Sequence, residues 1–156
     1  MNRNYPYQVA VIGLLLGFFA LASTASAQAA PKALRGQIIT NSRDINVPTS
    51  AAKFLKKMRK QDRKKFKKDE SGKWVIYFVA FFNRALPGEN IGVVVLDAKK
   101  EPVAVADVPG QKGQRTLASQ IIVETTETPG KKHTLQVYFA RGKKPVILAK
   151  KEIILK

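Results

Sequence analysis

Lys73 to Arg84, KWVIYFVAFFNR, is the longest apolar run beyond the N-terminal leader, and it limits what this chain can fold into. As a strand it carries Trp74, Ile76, Phe78, Ala80 and Phe82 on one face and Val75, Tyr77, Val79 and Phe81 on the other, because side chains alternate across a pleated strand. Both faces are apolar, so both need a cover. The chain offers two: a series of apolar strands for one face, and a basic amphipathic segment, Ser50 to Phe66, for the other.

The strand series reads as follows. Leu34 to Thr40 is a candidate first strand, and Ile91–Asp97, Pro102–Val108, Arg115–Thr125, His133–Arg141 and Val146–Leu155 follow the central one. Between them lie turn signals: Ala85–Asn90, whose Pro87-Gly88 pair suits a type II turn, Pro109–Gln114 and Thr128–Lys131. Lys150-Lys151-Glu152 interrupts the alternation of the last strand, and a bulge or a split strand is expected there. Short strands at this spacing predict a mainly β fold, an antiparallel Ig-like β-sandwich of about seven strands with one N-terminal basic amphipathic helix. "Ig-like" is an analogy of architecture, since there is no cysteine to supply the paired cysteines of antibody domains. Uniformly short loops, poor lipid-type alternation and high charge argue against an outer-membrane barrel. Residues 28–48 are expected to form a lead and first strand, and 49–156 a single sandwich domain that includes a helix over 50–68.

That helix is expected to start from Thr49 or Ser50 as N-cap. Ala51, Phe54, Leu55, Met58 and Phe66 share one helical face, and the other is almost solid base. Like charges four apart destabilise an isolated helix by roughly 0.2–0.5 kcal/mol per pair, so this one needs its apolar face docked or an anion bound.

Charge bounds the partner. Lys and Arg number 28 against 11 acids, a formal +17, which selects for anions: envelope lipid, acidic polysaccharide, nucleic acid or acidic protein. The N-terminus has the build of a secretory signal: Arg3, then an apolar Val9–Ala22, then Ala25-Ser26-Ala27. Cleavage after Ala27 is expected, because the apolar run is short of the roughly 20 residues needed to span a bilayer. Residues 1–27 are thus read as a cleaved signal peptide, and no integral membrane segment remains after cleavage. Arg3 is the leader's only charged residue, so the formal charge falls only from +17 to +16. Export without a single cysteine fits the bacterial periplasm, outer surface or medium better than a disulfide-dense secreted module.

If each short connection reverses the chain, one end of the fold gathers Lys99, Lys100, Lys131 and Lys132 beside the basic segment. The candidate anion-binding set is therefore Lys56, Lys57, Lys60, Arg63, Lys64, Lys65, Lys67, Lys68, Lys99, Lys100, Lys131 and Lys132. Lys112, Arg115, Arg141, Lys143 and Lys144 fall at the opposite end. Catalytic signals are absent: one histidine, His133, is read as solvated at a turn, the acids are scattered, and no nucleophile or phosphate-loop motif occurs. No metal site or cofactor is expected, and the chain is read as no enzyme. Nucleic acid is disfavoured as partner by the export signal and by the lack of aromatics interleaved with bases. The expectation is an exported, non-enzymatic protein that binds an anionic envelope or extracellular polymer, or an anionic lipid surface, through its lysines. The alternative is a structural or assembly subunit that docks on a protein partner, its lysines serving solubility.

Overall fold

The computed structural model describes residues 31–48, 53–124, 129–141 and 144–156. The expected signal peptide, the N-cap at Thr49 or Ser50, Ala51 and Lys143 lie outside them. A 3-10 turn at Lys32–Leu34 leads into β1 (Ile38–Asn41), α1 (Phe54–Gln61), β2 (Lys65–Phe66), β3 (Trp74–Phe81) and β4 (Asn90–Leu96). Then come β5 (Pro102–Pro109), β6 (Thr116–Val123), β7 (Lys132–Arg141) and β8 (Lys144–Leu155).

The fold is mainly β and has two sheets. A three-stranded sheet runs in the order β1-β3-β6, and a five-stranded sheet, curled into a half-barrel, in the order β2-β8-β7-β4-β5. Among the described residues all pairings are antiparallel except one: β2 lies parallel to β8, with Lys65 opposite Ile154 and Phe66 opposite Leu155.

The alternation of β3 is what lets it serve two cores. Trp74, Ile76, Phe78, Ala80 and Phe82 enter the main apolar cluster between the sheets, with Leu117, Ile121 and Val123 of β6, Val93 and Val95 of β4, Leu135 and Val137 of β7, and Ile153 and Leu155 of β8. Tyr77, Val79 and Phe81 turn outward into a second cluster with Leu34, Ile39, Ile45, Phe54, Leu55 and Met58. Here α1 is the lid: Met58 is fully buried, and the Phe54 ring meets Phe81 edge-on, centroids 5.9 Å apart.

Several expectations are corrected. The helix is not N-terminal, since it follows β1, and it covers Phe54–Gln61 rather than 50–68. Its end has a physical cause. Asp62 leaves helical geometry, with ψ of 126°, and its carboxylate accepts the Thr40 backbone N–H at 3.0 Å. Beyond it the chain becomes an extended strap: Arg63 N–H donates to Thr40 O at 2.7 Å, and Ile154 N–H to Lys64 O at 2.7 Å. The strap thus joins the β1 edge of one sheet to the β8 edge of the other. Phe66 consequently packs in the main core and not on the helix face. Among the described residues the strands number eight, β2 being the addition.

The irregularity in β8 lies earlier than expected. Val137 pairs with Ala149 and Tyr138 with Ile147, so Leu148 is the extra residue of a bulge. Past it, Lys151 falls in step with Ala149, Ile153 and Leu155, the buried positions. His133 is likewise no solvated turn residue. It is buried on β7, in step with Leu135 and Val137, with Nδ1 3.1 Å from Lys131 O. Gly88 does not take the positive φ that a type II turn requires; among the described glycines only Gly36, Gly72, Gly113 and Gly130 do.

Candidate polyanion-binding surface

Every one of the twelve candidate bases is exposed, but the fold divides them into two groups. Lys56, Lys57 and Lys60 stand on the solvent side of α1, together with Lys53 and Arg59. They are there because Phe54, Leu55 and Met58 claim the other side for the three-stranded sheet. No acid occurs within α1. Lys57 and Lys60, with Asn46, Pro48 and Gln61, line an open cleft of about 300 Å³. Its far wall is fixed to the helix, since Gln61 accepts the Asn46 N–H at 3.0 Å and donates to the Asn46 carbonyl at 2.9 Å.

The second group crowns one end of the five-stranded sheet. Register places the start of β7 beside the end of β8 (Lys132 opposite Ile154) and the end of β4 beside β7 (Leu96 opposite Thr134). β2, parallel to β8, finishes at the same end. Lys67 and Lys68, Lys131 and Lys132, and Lys99 and Lys100 therefore meet on one rim, as reversing connections require. Lys156, which the sequence reading omitted, falls between them at the end of β8. Arg63 and Lys64 ride the strap that links the two groups. At the opposite end, the Arg115 carbonyl accepts the Phe82 N–H just past β3, and Arg141 pairs with Lys144 in the β7–β8 register.

Acids on and near the rim are mostly engaged in local structure. Asp97 accepts the backbone N–H groups of Lys99 and Glu101, both at 2.8 Å, closing the β4–β5 turn in which Lys100 takes a φ of 68°. Asp69 accepts the Ser71 hydroxyl at 2.7 Å and the Ser71 and Lys73 N–H groups at 2.9 and 3.1 Å. These bonds, that of the Ser71 hydroxyl foremost, hold its carboxyl below the ordinary carboxylate value. Glu124 pairs with Lys73 at 2.5 Å and Glu152 with Lys132 at 3.5 Å. Among the described residues, the ion pairs thus engage Lys73, Lys132 and Lys151 and leave the other rim lysines to solvent.

Lys68 has a different neighbour: its Nζ lies 4.5 Å from the centroid of the Trp74 ring. The indole is fully buried and its N–H donates to Lys156 O at 3.0 Å, so it offers no free face for stacking. Away from these bases, the outer face of the five-stranded sheet holds an apolar groove of about 450 Å³, lined by Val94, Leu96, Val105, Tyr138 and Pro145 among others. No group of His, Asp and Glu side chains suited to a metal occurs among the described residues. Comparison with protein-family models, with curated proteins and with solved structures finds no match.

Proposed function

We propose that this protein is an exported, non-enzymatic binder of an anionic envelope or extracellular polymer, held by the α1 lysines and the rim turns. The observation that carries the reading is the arrangement of charge. Bases take the solvent side of α1 and neighbouring strand ends, while Asp69 and Asp97 accept turn N–H groups and Glu124 and Glu152 pair with Lys73 and Lys132, which leaves Glu70 and Glu101 as exposed acids among a larger number of bases. Such a surface attracts polyanions by counterion release. The finer architecture we assign is an Ig-like sandwich with one curled sheet; the support for it is the single apolar cluster shared by both sheets.

Binding of the protein to lipopolysaccharide, anionic vesicles, acidic polysaccharide, duplex DNA and a neutral glycan, at low and near-physiological salt, tests the function. Preference for one anion that survives near-physiological salt supports it. Reversal of Lys56, Lys57, Lys60, Lys64 and Lys65 to Glu is then expected to abolish binding while unfolding stays cooperative. Equal, salt-erased binding to every anion refutes it.

A second reading, an assembly subunit of an envelope complex, draws on the apolar groove, beside which Val105 is 60% exposed. It predicts that Val105→Lys, and not the lysine reversals, dissolves a complex seen by sedimentation.

A further inference from the structure

Four neighbouring strand ends form the basic rim, and their order gives it a pitch. Along the end of the five-stranded sheet the sequence of strands is β2, β8, β7, β4. Each contributes bases in turn: Lys67 and Lys68, Lys156, Lys131 and Lys132, Lys99 and Lys100. Adjacent strands stand about 4.8 Å apart, so the row spans three steps, about 15 Å, with a positive group at every step. The row bends, because the sheet is curled.

A surface of this form distinguishes among anions. The described large apolar side chains that are exposed are Val47, Val105, Ile122 and Ile147. None stands in the rim turns, so nothing there would insert into a bilayer. The aromatics beside it, Phe66 and Trp74, are buried, so nothing there stacks on a base. What the rim offers is a one-dimensional series of ammonium groups at the spacing of strands. A linear polymer with one carboxylate per sugar ring has a charge repeat of the same order and enough freedom to follow a curved row.

Resting on the proposed polyanion binding, we infer that the rim is a subsite for an acidic polysaccharide, read by its length and charge repeat. The probe is a series of labelled oligogalacturonides, from the single sugar upward, titrated onto the full protein. Affinity should climb with each added uronate until the oligomer spans the row, at about four or five charges, and then level off. The salt dependence should steepen in parallel, by about 0.7 in the slope of log K against log salt for each charge engaged, as for single-stranded polyanions. Replacing Lys99, Lys100 and Lys131 by Gln, three exposed side chains, should weaken the longer oligomers at least tenfold and the single sugar far less, so that the gain in affinity per added uronate falls. Circular dichroism melts confirm that the variant is folded.

Affinity that does not depend on length overturns the inference, as does tighter binding to duplex DNA or to anionic vesicles at matched charge. If the rim variant binds normally while reversal of Lys56, Lys57 and Lys60 abolishes binding, the rim inference fails and polyanion binding stands. If the unaltered protein binds none of these anions, both fail.

Discussion

The ammonium of Lys151 and the carboxylate of Asp62 form an ion pair that ties β8 to the strap leaving α1. The lysine side chain is only 8% exposed and the carboxylate 28%. Asp62 also accepts the Thr40 N–H, so one carboxylate joins β1, the strap and β8. Asp62→Ala leaves a buried ammonium and an unpaired N–H. It should cost about 3 kcal/mol, the low end of what removing one partner of a buried pair costs. Asp62→Ala combined with Lys151→Met should recover much of that loss. Urea denaturation of both single variants and the double one completes the cycle, and simple additivity would show that the pair is not coupled.

The same lysine gives stability a pH dependence of known sign. Burial holds the Lys151 ammonium below its ordinary value of 10.5, against the opposing pull of Asp62. Between the folded and unfolded values the unfolded chain binds more protons, so stability rises with pH. The contribution is fully present above 10.5 and is lost as the pH falls through the folded value. Subtracting the urea stability of Lys151→Met at each pH isolates this contribution, and a difference that is flat over the alkaline range refutes it.

How far these features were legible in the sequence depends on what each residue had beside it. The two-faced character of β3 was plain, because its alternation is uninterrupted from Trp74 to Phe82. Phe66 was misplaced because fifteen residues after Ala51 is also a helical repeat, and periodicity takes no account of a helix that has already ended at Gln61. His133 and Lys151 carried a usable signal, since each shares the parity of the buried residues two positions on, Leu135 and Ile153. For both, the polar or basic character of the neighbours outweighed parity. The Asp62 contact to Lys151 spans 89 residues, and no local pattern could announce it. Chain reversal brought Lys99, Lys100, Lys131 and Lys132 to one end beside Lys67 and Lys68 but passed over Lys156, and the order along the sheet needed the register of β2 against β8.

Gly110 and Gly113 sit three residues apart and should respond differently to alanine. A Cβ on Gly110 would stand 2.5 Å from Leu86 Cδ2 and 2.7 Å from Ile91 Cδ1, both in the buried core. Overpacking there should cost about 2 kcal/mol. Gly113 has open space around it but a φ of +87°, so its cost is backbone strain, about 1 kcal/mol. Measured against the cost of Leu86→Ala alone, adding that change should offset part of the first loss and none of the second, which urea denaturation of the unaltered protein, the three single variants and the two doubles would reveal.

Met58 seals α1 against the sheet, and its replacement separates docking from charge. It is fully buried beside Val79 and Phe81, so Met58→Ala should cost about 2–3 kcal/mol by lost burial and a cavity. Affinity for a polyanion, measured well below the melting transition, should change little, because no base is removed. A strong loss of affinity in a folded Met58→Ala protein would place the apolar side of α1, and not its lysines, in the binding surface.

Lys56 tests whether the basic helix is maintained at a cost to stability. Lys56 and Lys60 stand four apart on the exposed side of α1, and no acid within the helix relieves them. Lys56→Glu replaces that repulsion with an attractive pair in the favourable order, acid N-terminal to base, and puts a negative charge in the first turn of the helix. It should therefore raise stability by about 0.5–1 kcal/mol, read as an increase in Tm and in the urea midpoint. The same change should weaken polyanion binding and flatten its salt dependence, because one cation is lost and one anion gained at the surface. A chain selected only for solubility has no reason to keep the less stable residue. A gain in stability with no loss of affinity would identify the lysines of α1 as a charged coat, whereas opposite movements of the two quantities would tie this repulsion to binding.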